Sequence, residues 1–290
     1  MNSYGMGAGK ISLLSLTLLI ALLCLSVPAS FAASNFYALN PYFDTAQLLE
    51  INPNDASVVS FVDLYLSDGS GYSGNNFALA FNPDNDLYGW DSTLGQLYNI
   101  TSTSQTTAQV NYIGTPVDFS PTGDSQVTGL AFDNTGTLYG IAQNYLTSGA
   151  EALVSIDTAT NGVNLIGYLN EEIGTNGLAV DYSTGDLYLV SGDLYDKIMT
   201  LDETTGNATV IGQLGTTARA VGAEFLPGTM TLYSVRSGNE LWSYDLNDGS
   251  PSYGISSFVG QIGGQGSNLA VASLAAQWTA QKEKSVKKIS

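Results

Sequence analysis

Five copies of one phrase, set about fifty residues apart, limit what this chain can fold into more than any other feature it carries. Each copy has an apolar strand ending in a turn, then a Leu-Tyr or Phe-Tyr pair, then two further short apolar stretches, the last closing near glycine. The pairs fall at Phe36-Tyr37, Leu87-Tyr88, Leu138-Tyr139, Leu187-Tyr188 and Leu232-Tyr233, so successive tyrosines stand 51, 51, 49 and 45 residues apart. A period of this size built only of short strands points to a propeller, in which each repeat is one small sheet.

The phrase divides into four strands. The first reads ALAFNP from Ala78, GLAFDN from Gly129, GLAVDY from Gly177, GAEFLP from Gly222 and NLAVAS from Asn268. The second reads FYALN, LYGWD, LYGIA, LYLVS and LYSVR, and the third LLEIN, LYNIT, LVSID, IMTLD and LWSYD. The fourth is the V/I-rich stretch, as in SVVSFV and GVNLIG. Apolar and polar positions alternate in the third strand, as half-buried β-structure requires. The expected fold is therefore all-β: a five-bladed β-propeller with four antiparallel strands per blade. The chain opens on a second strand at Phe36 and its last first strand is expected at 268–273, so the C-terminal strand should close the ring against the N-terminal blade. Closure of that kind removes exposed sheet edges.

Turn chemistry separates two faces. Between first and second strands lie NPDND, DNTGT, DYSTGD and LPGTMT; between third and fourth lie NPNDA, DTATNG, DETTGN and LNDGS. Asp and Asn cap such turns with their own side chains and Gly supplies positive φ, which makes them tight hairpins. Connections into the first and third strands are longer and irregular, and they emerge on the opposite face.

The ends of the chain differ from its body. Lys10 precedes the 17-residue apolar run ISLLSLTLLIALLCLSV and then PASFAAS, which reads as a secretory signal over 1–32. An uncleaved signal anchor is the alternative, and secreted or periplasmic residence is the expectation. Cys24 in that leader is the sole cysteine, so no disulfide staples the mature protein. Histidine is absent, which excludes His-based acid–base chemistry, Ser-His-Asp triads and His-ligated zinc. Residues 33–273 form the expected propeller, and 274–290 a basic tail, frayed or partly helical.

Charge is equally uneven. Only Lys197, Arg219 and Arg236 on the body face 25 carboxylates, a net −22. Such a field repels nucleic acid and anionic lipid and favours solubility, cations or basic partners. The expected partner is a protein, peptide or glycan met by a monomer that has no membrane span once its signal is removed.

Function has to be sought in loops that break the repeat. The irregular face places Tyr42, Asp44, Tyr72, Asp124, Tyr145, Asp193, Tyr195, Arg219 and Arg236 on one rim, and aromatics mixed with polar groups suit a binding groove. A glycan hydrolase or lyase would need two suitably spaced carboxylates, for which Asp68, Asp118, Glu171 and Glu172 are the candidates. Calcium is a further alternative, since DNTGT, DYSTGD and NPDND crowd oxygen atoms. None of them has the spacing of an EF-hand loop, and turn capping explains them, so no metal or other cofactor is expected. Glu224 stands where the other first strands carry Ala80, Ala131, Ala179 and Ala270, and it is expected to face the central channel.

The consensus G-L-A-F-D-x-x-T-G-x-L-Y-G … L-x-x-I-D-x-x-T-G-x-x-x-x-I-G resembles the repeat of secreted bacterial β-propeller proteins of uncharacterised function, in the style of NHL and YVTN repeats. The resemblance spans residues 36–273. It implies extracellular or periplasmic residence and binding of a ligand or protein, with no shared catalytic set. The turns NPDND and LPGTMT depart from D-x-x-T-G.

Overall fold

A computed structural model of the chain describes residues 35–41, 44–74, 76–119, 126–143, 150–192, 196–214, 219–264 and 269–278. Within them all regular structure is β. The first strands are β1 (Phe36–Asn40), β2 (Gln47–Ile51) and β3 (Val58–Tyr65). Next come β4 (Asn76–Phe81), β5 (Leu87–Asp91), β6 (Gln96–Ser102) and β7 (Thr107–Tyr112). A third group holds β8 (Val127–Phe132), β9 (Leu138–Ala142), β10 (Ala152–Ile156) and β11 (Val163–Tyr168). A fourth holds β12 (Asn176–Val180), β13 (Leu187–Ser191), β14 (Lys197–Leu201) and β15 (Ala208–Gln213). The last comprises β16 (Ala220–Phe225), β17 (Thr231–Arg236), β18 (Glu240–Asp245), β19 (Ser256–Gln261) and the short β20 (Ala275–Ala276).

Hydrogen bonding sorts the later strands into three antiparallel sheets, β8–β11, β12–β15 and β16–β19. The remaining eight run β20-β1-β2-β3-β7-β6-β5-β4, two four-stranded units joined where β3 and β7 pair in parallel. Each unit is a meander whose first strand lies innermost. Inner-strand residues Leu79, Leu130, Leu178, Ala223 and Leu274 surround one narrow axial space.

Close approach of these inner strands explains the glycine in the repeat. A Cβ on Gly129 would come within 2.8 Å of Leu178, and one on Gly222 within 2.7 Å of Leu274. Gly177 stands equally tight against Gly222 and Ala223. In three of the pairs the tyrosine then works sideways. Tyr37 packs on Phe81 at 5.2 Å between ring centroids, Tyr88 on Phe132 at 5.2 Å, and Tyr188 on Phe225 at 4.9 Å. Each contact joins one unit to the next, in the tilted or edge-on geometry aromatic pairs favour. Conversely Asn161, a left-handed residue at φ 65°, uses its amide to bridge units: Oδ1 accepts from Leu97 N at 2.9 Å, and Nδ2 donates to Thr115 O at 2.8 Å.

The ring seam differs from its expected register. Tyr88 lies opposite Ala80, Tyr139 opposite Ala131, Tyr188 opposite Ala179 and Tyr233 opposite Glu224. Tyr37 lies opposite Ala275, so β20, entered through Ser273-Leu274, supplies the fifth inner strand, and residues 269–273 of the strand expected at 268–273 lead into it. Ala275, and not Ala270, is thus the counterpart of Glu224. Residues 269–273 still run beside β1: Ala272 N donates to Leu39 O at 3.0 Å and Leu39 N to Ser273 Oγ at 3.1 Å. The folded core reaches Trp278, which is 6% exposed, so it extends well past the expected start of the tail at 274.

Candidate functional site

The axial space has two ends of unlike chemistry. On the hairpin side Trp278 closes it. Its Nε1–H donates to Phe81 O at 2.8 Å, its backbone N–H donates to Asn85 Oδ1 at 2.7 Å, and its ring meets Tyr182 edge-on at 4.4 Å. Tyr182 in turn donates its hydroxyl to Ala276 O at 3.0 Å, which anchors the closing strand.

Glu224 lies beneath this plug among Ala80, Ala131, Phe132, Val180, Tyr182 and Trp278. Its Oε1 accepts from Phe225 N at 2.8 Å. Burial pushes its carboxyl up to about 8, and hydrogen bonding with its neighbours, the Phe225 N–H first, only partly counters this. Burial together with the Glu224 charge likewise drives the Tyr182 hydroxyl well upward. Glu224, expected to face the central channel, meets packed side chains at this position.

The opposite end holds a cavity. At the starts of β8, β12 and β16 lies a cavity of about 210 Å³ lined, among the described residues, by Gln126, Thr128, Gln143, Thr175, Asn176, Arg219, Ala220 and Val221. Thr128 Oγ1 donates to Asn176 Oδ1 at 3.0 Å, and Asn176 Nδ2 donates to Gly174 O at 3.3 Å, so neighbouring units are cross-linked at the wall. The Gln143 backbone N–H donates to Gln126 O at 2.9 Å. Among the described lining residues there is no carboxylate.

Of the expected rim residues, Arg219 alone lies on this cavity among those the structure describes. Asp44 is exposed at the loop between β1 and β2. Tyr42, Asp124, Tyr145, Asp193 and Tyr195 lie outside the described residues. Two expectations need correction. Tyr72 is 1% exposed because its segment folds back on β3, Tyr72 N donating to Leu64 O at 2.8 Å, which turns its hydroxyl toward buried Asp91 Oδ2 at 3.2 Å. Arg236 is also 1% exposed: its guanidinium stacks 4.1 Å from the Trp242 ring centre and Nε donates to the Tyr244 hydroxyl at 3.0 Å. A planar, weakly hydrated cation is suited to such burial.

The carboxylates considered for hydrolysis are engaged elsewhere or exposed. Asp68 Oδ1 accepts from Ser70 Oγ at 2.6 Å and from its N–H at 2.9 Å, a turn cap whose bonds hold the carboxyl below its usual value. Glu171 pairs with Lys197 at 2.6 Å, and Asp118 and Glu172 are exposed. Glu151 carries no sequence signal of its own. It is raised first by burial and then by the charge of Glu172, which brings two carboxylates into one another's field.

Oxygens of the acidic hairpins are occupied by the backbone. Asp133 Oδ1 accepts from Thr135 N at 2.9 Å and Thr137 N at 2.8 Å; Asn82 Oδ1 accepts from Asp86 N at 2.7 Å. Among the described residues no three Asp, Glu, Cys or His side chains gather as a metal site would require.

Meandering four-stranded sheets with their inner strands around one axis define a propeller-like all-β repeat protein. No family model matches the chain, and no curated protein matches it. Among solved structures it is similar to a protein of unknown function from Bacteroides thetaiotaomicron, with TM-score 0.50 and 15% identity over 79% of this chain. The chain spans 58% of that protein's length. A protein of unknown function from Bacteroides caccae gives TM-score 0.45 at 6% identity, covering 76% of this chain and 71% of that one. A virginiamycin B lyase from Staphylococcus aureus gives TM-score 0.43 at 13% identity, covering 79% and 70%. The first of these likenesses concerns fold alone, and no chemistry follows from any of them.

Proposed function

We propose that this chain is a secreted or periplasmic, closed five-bladed propeller that acts as a monomeric binding module, recognising a protein, peptide or glycan through its irregular loop face. The observation that carries the reading is the contrast along the axis: the hairpin end is filled by Trp278, while the loop end keeps a polar cavity of about 210 Å³. Two glutamines, two threonines, an asparagine and an arginine can hold a ligand. They do not form an acid–base pair, which hydrolysis by general catalysis requires. The leader over 1–32 supports export, and the −22 body disfavours nucleic acid and anionic lipid.

A peptide and glycan array probed with the mature protein tests this. Gln143→Trp, which fills the mouth, is expected to abolish whatever binding the array shows, while Asp157→Ala on the hairpin face leaves it intact. Equal binding by both variants would remove the loop face from consideration.

The Glu151–Glu172 proximity favours, second, a hydrolase or lyase acting on a glycan. Release of new reducing or unsaturated ends by the protein, lost in Glu151→Gln, would bring that reading forward.

A further inference from the structure

A group of side chains that neither end of the axis uses lies between the first two four-stranded units. Tyr72, Tyr98 and Tyr112 stand together beside Asp91, with ring centroids 5.5 Å apart for Tyr72 and Tyr98, 6.2 Å for Tyr98 and Tyr112, and 6.4 Å for Tyr72 and Tyr112. Three elements assemble them. Tyr98 on β6 lies directly opposite Tyr112 on β7, and Tyr72 arrives from the connection between β3 and β4, where its N–H holds Leu64 O at 2.8 Å. Tyr72 and Tyr98 are buried and Tyr112 is half-buried, so the group meets solvent through Tyr112.

Asp91 gives the group its chemistry. Tyr112 donates its hydroxyl to Asp91 Oδ2 at 2.7 Å, and Tyr72 donates to the same oxygen at 3.2 Å. The other carboxylate oxygen is committed to a turn, accepting from Thr93 N at 3.0 Å and Leu94 N at 3.2 Å, which fixes the carboxylate in place. Glycine makes the space: a Cβ on Gly74 would meet the Tyr72 hydroxyl and Asp91 Oδ2. Burial first, and then the hydrogen bond to Asp91, push the Tyr112 phenol well above its ordinary range, so it keeps its proton at neutral pH. A phenol held in this way gives up an electron readily when its proton leaves with it, and the Asp91 carboxylate is placed to take that proton. Two phenols bonded to one oxygen also bring together the ring carbons ortho to their hydroxyls, the positions at which phenoxyl radicals couple. The single cysteine denies this chain an internal disulfide, and joined tyrosines are a covalent staple of another kind.

We propose that Tyr72 and Tyr112 are a site of oxidative cross-linking, joined through their ortho carbons as dityrosine with Asp91 as the proton acceptor. The co-reactant is a one-electron oxidant, such as the ferryl haem that a peroxidase forms from hydrogen peroxide. Each phenol gives one electron to the oxidant and its proton to Asp91 Oδ2, and the first proton passes to water before the second follows. The two phenoxyl radicals then form a carbon–carbon bond. The hydrogen on each bonded carbon moves to its oxygen, which restores both phenols, and one peroxide is reduced to two waters per link. The product ties the β3–β4 connection to β7.

The test treats the mature protein, dilute enough to prevent links between molecules, with a haem peroxidase and hydrogen peroxide, and in parallel with photogenerated ruthenium(III), a small one-electron oxidant. Peptide mapping of the monomer should recover a link between the peptides that carry Tyr72 and Tyr112. The intact mass should fall by two hydrogen atoms, dityrosine fluorescence should appear, and the melting temperature should rise. Tyr72→Phe and Tyr112→Phe should each abolish the link, while Tyr253→Phe, at an exposed turn, should leave it. Asp91→Asn keeps an oxygen to cap the turn and should slow linking about a hundredfold, as loss of a positioned proton acceptor does. Linking by Asp91→Asn at the wild-type rate would overturn the role given to the carboxylate. A link mapped to Tyr98, or peptides of Tyr72 and Tyr112 left unmodified by both oxidants, would overturn the site itself.

Discussion

The two ends of the axial space show how one repeat can be brought to opposite purposes. Both ends are built from the same inner strands, so their differences lie in what the chain adds to the repeat. At the hairpin end the sequence departs by one substitution and one appended residue: Glu224 replaces the alanine found at positions 80, 131, 179 and 275, and Trp278 covers it. At the loop end the departures are whole connections, and described residues beside them line a cavity. Deviation from a repeat therefore marks a candidate function only where it also leaves room. Glu224 is the most unusual residue in the inner ring, yet it is packed too tightly to meet a ligand.

Perturbing each end in turn should give unlike results. The greatest loss is expected from removing residues 270–290, which deletes β20 and the plug together; the cooperative thermal transition of the truncated protein should disappear, and an unchanged melting temperature would refute the seam. Next is Glu224. Its folded-state pKa of about 8 lies above the ordinary 4.5, so the folded protein holds the proton more tightly. Stability should therefore fall as pH rises from about 4.5 to about 8, by up to roughly 5 kcal/mol at ~1.36 kcal/mol per pH unit. Glu224→Ala restores the alanine of the repeat and should flatten denaturation midpoints across that window; a persisting slope would assign the pH dependence elsewhere.

Smaller effects separate the ends further. Trp278→Ala should cost ~3–5 kcal/mol, the usual range for truncating a buried large aromatic, without altering ligand binding at the far end. Phe132→Ala, which removes the partner of Tyr88, should cost a similar amount in urea denaturation. Gln143→Trp belongs at the bottom of the stability series, within ~0.5 kcal/mol of wild type, because it changes a partly exposed position. Its effect should appear in binding alone.

Much of the fold is legible in the sequence because it is repeated. Leu-Tyr pairs, turn-capping Asp and Asn, and the G-L-A triplet each recur, and each has a physical role in the folded chain. The pairs make contact between units, the caps close hairpins, and the triplet allows close approach of inner strands. The seam is ambiguous in sequence for a physical reason. NLAVAS and SLAA both present small and apolar residues in succession, and only pairing opposite Tyr37 distinguishes them.

The site is less legible. Arg236 and Tyr72 fall next to irregular connections, yet both turn inward, and burial of an Arg on Trp242 leaves no mark in a one-dimensional pattern. Gln126, Thr128, Gln143 and Asn176 carry no signal in the sequence, because amides and hydroxyls at strand ends resemble ordinary turn residues. Their meaning comes from the ends of β8, β9 and β12 bringing them together. Glu151 and Glu172 lie 21 positions apart in the chain, and only the return of β11 beside β10 brings them near one another.

Amide hydrogen exchange with and without an array-selected ligand distinguishes the cavity end from the plugged one. New protection is expected at 126–128, 143, 175–176 and 219–221, with exchange at 80–81, 182 and 274–278 unchanged. Protection confined to the hairpin end, around Trp278 and Glu224, would contradict a binding site at the loop end.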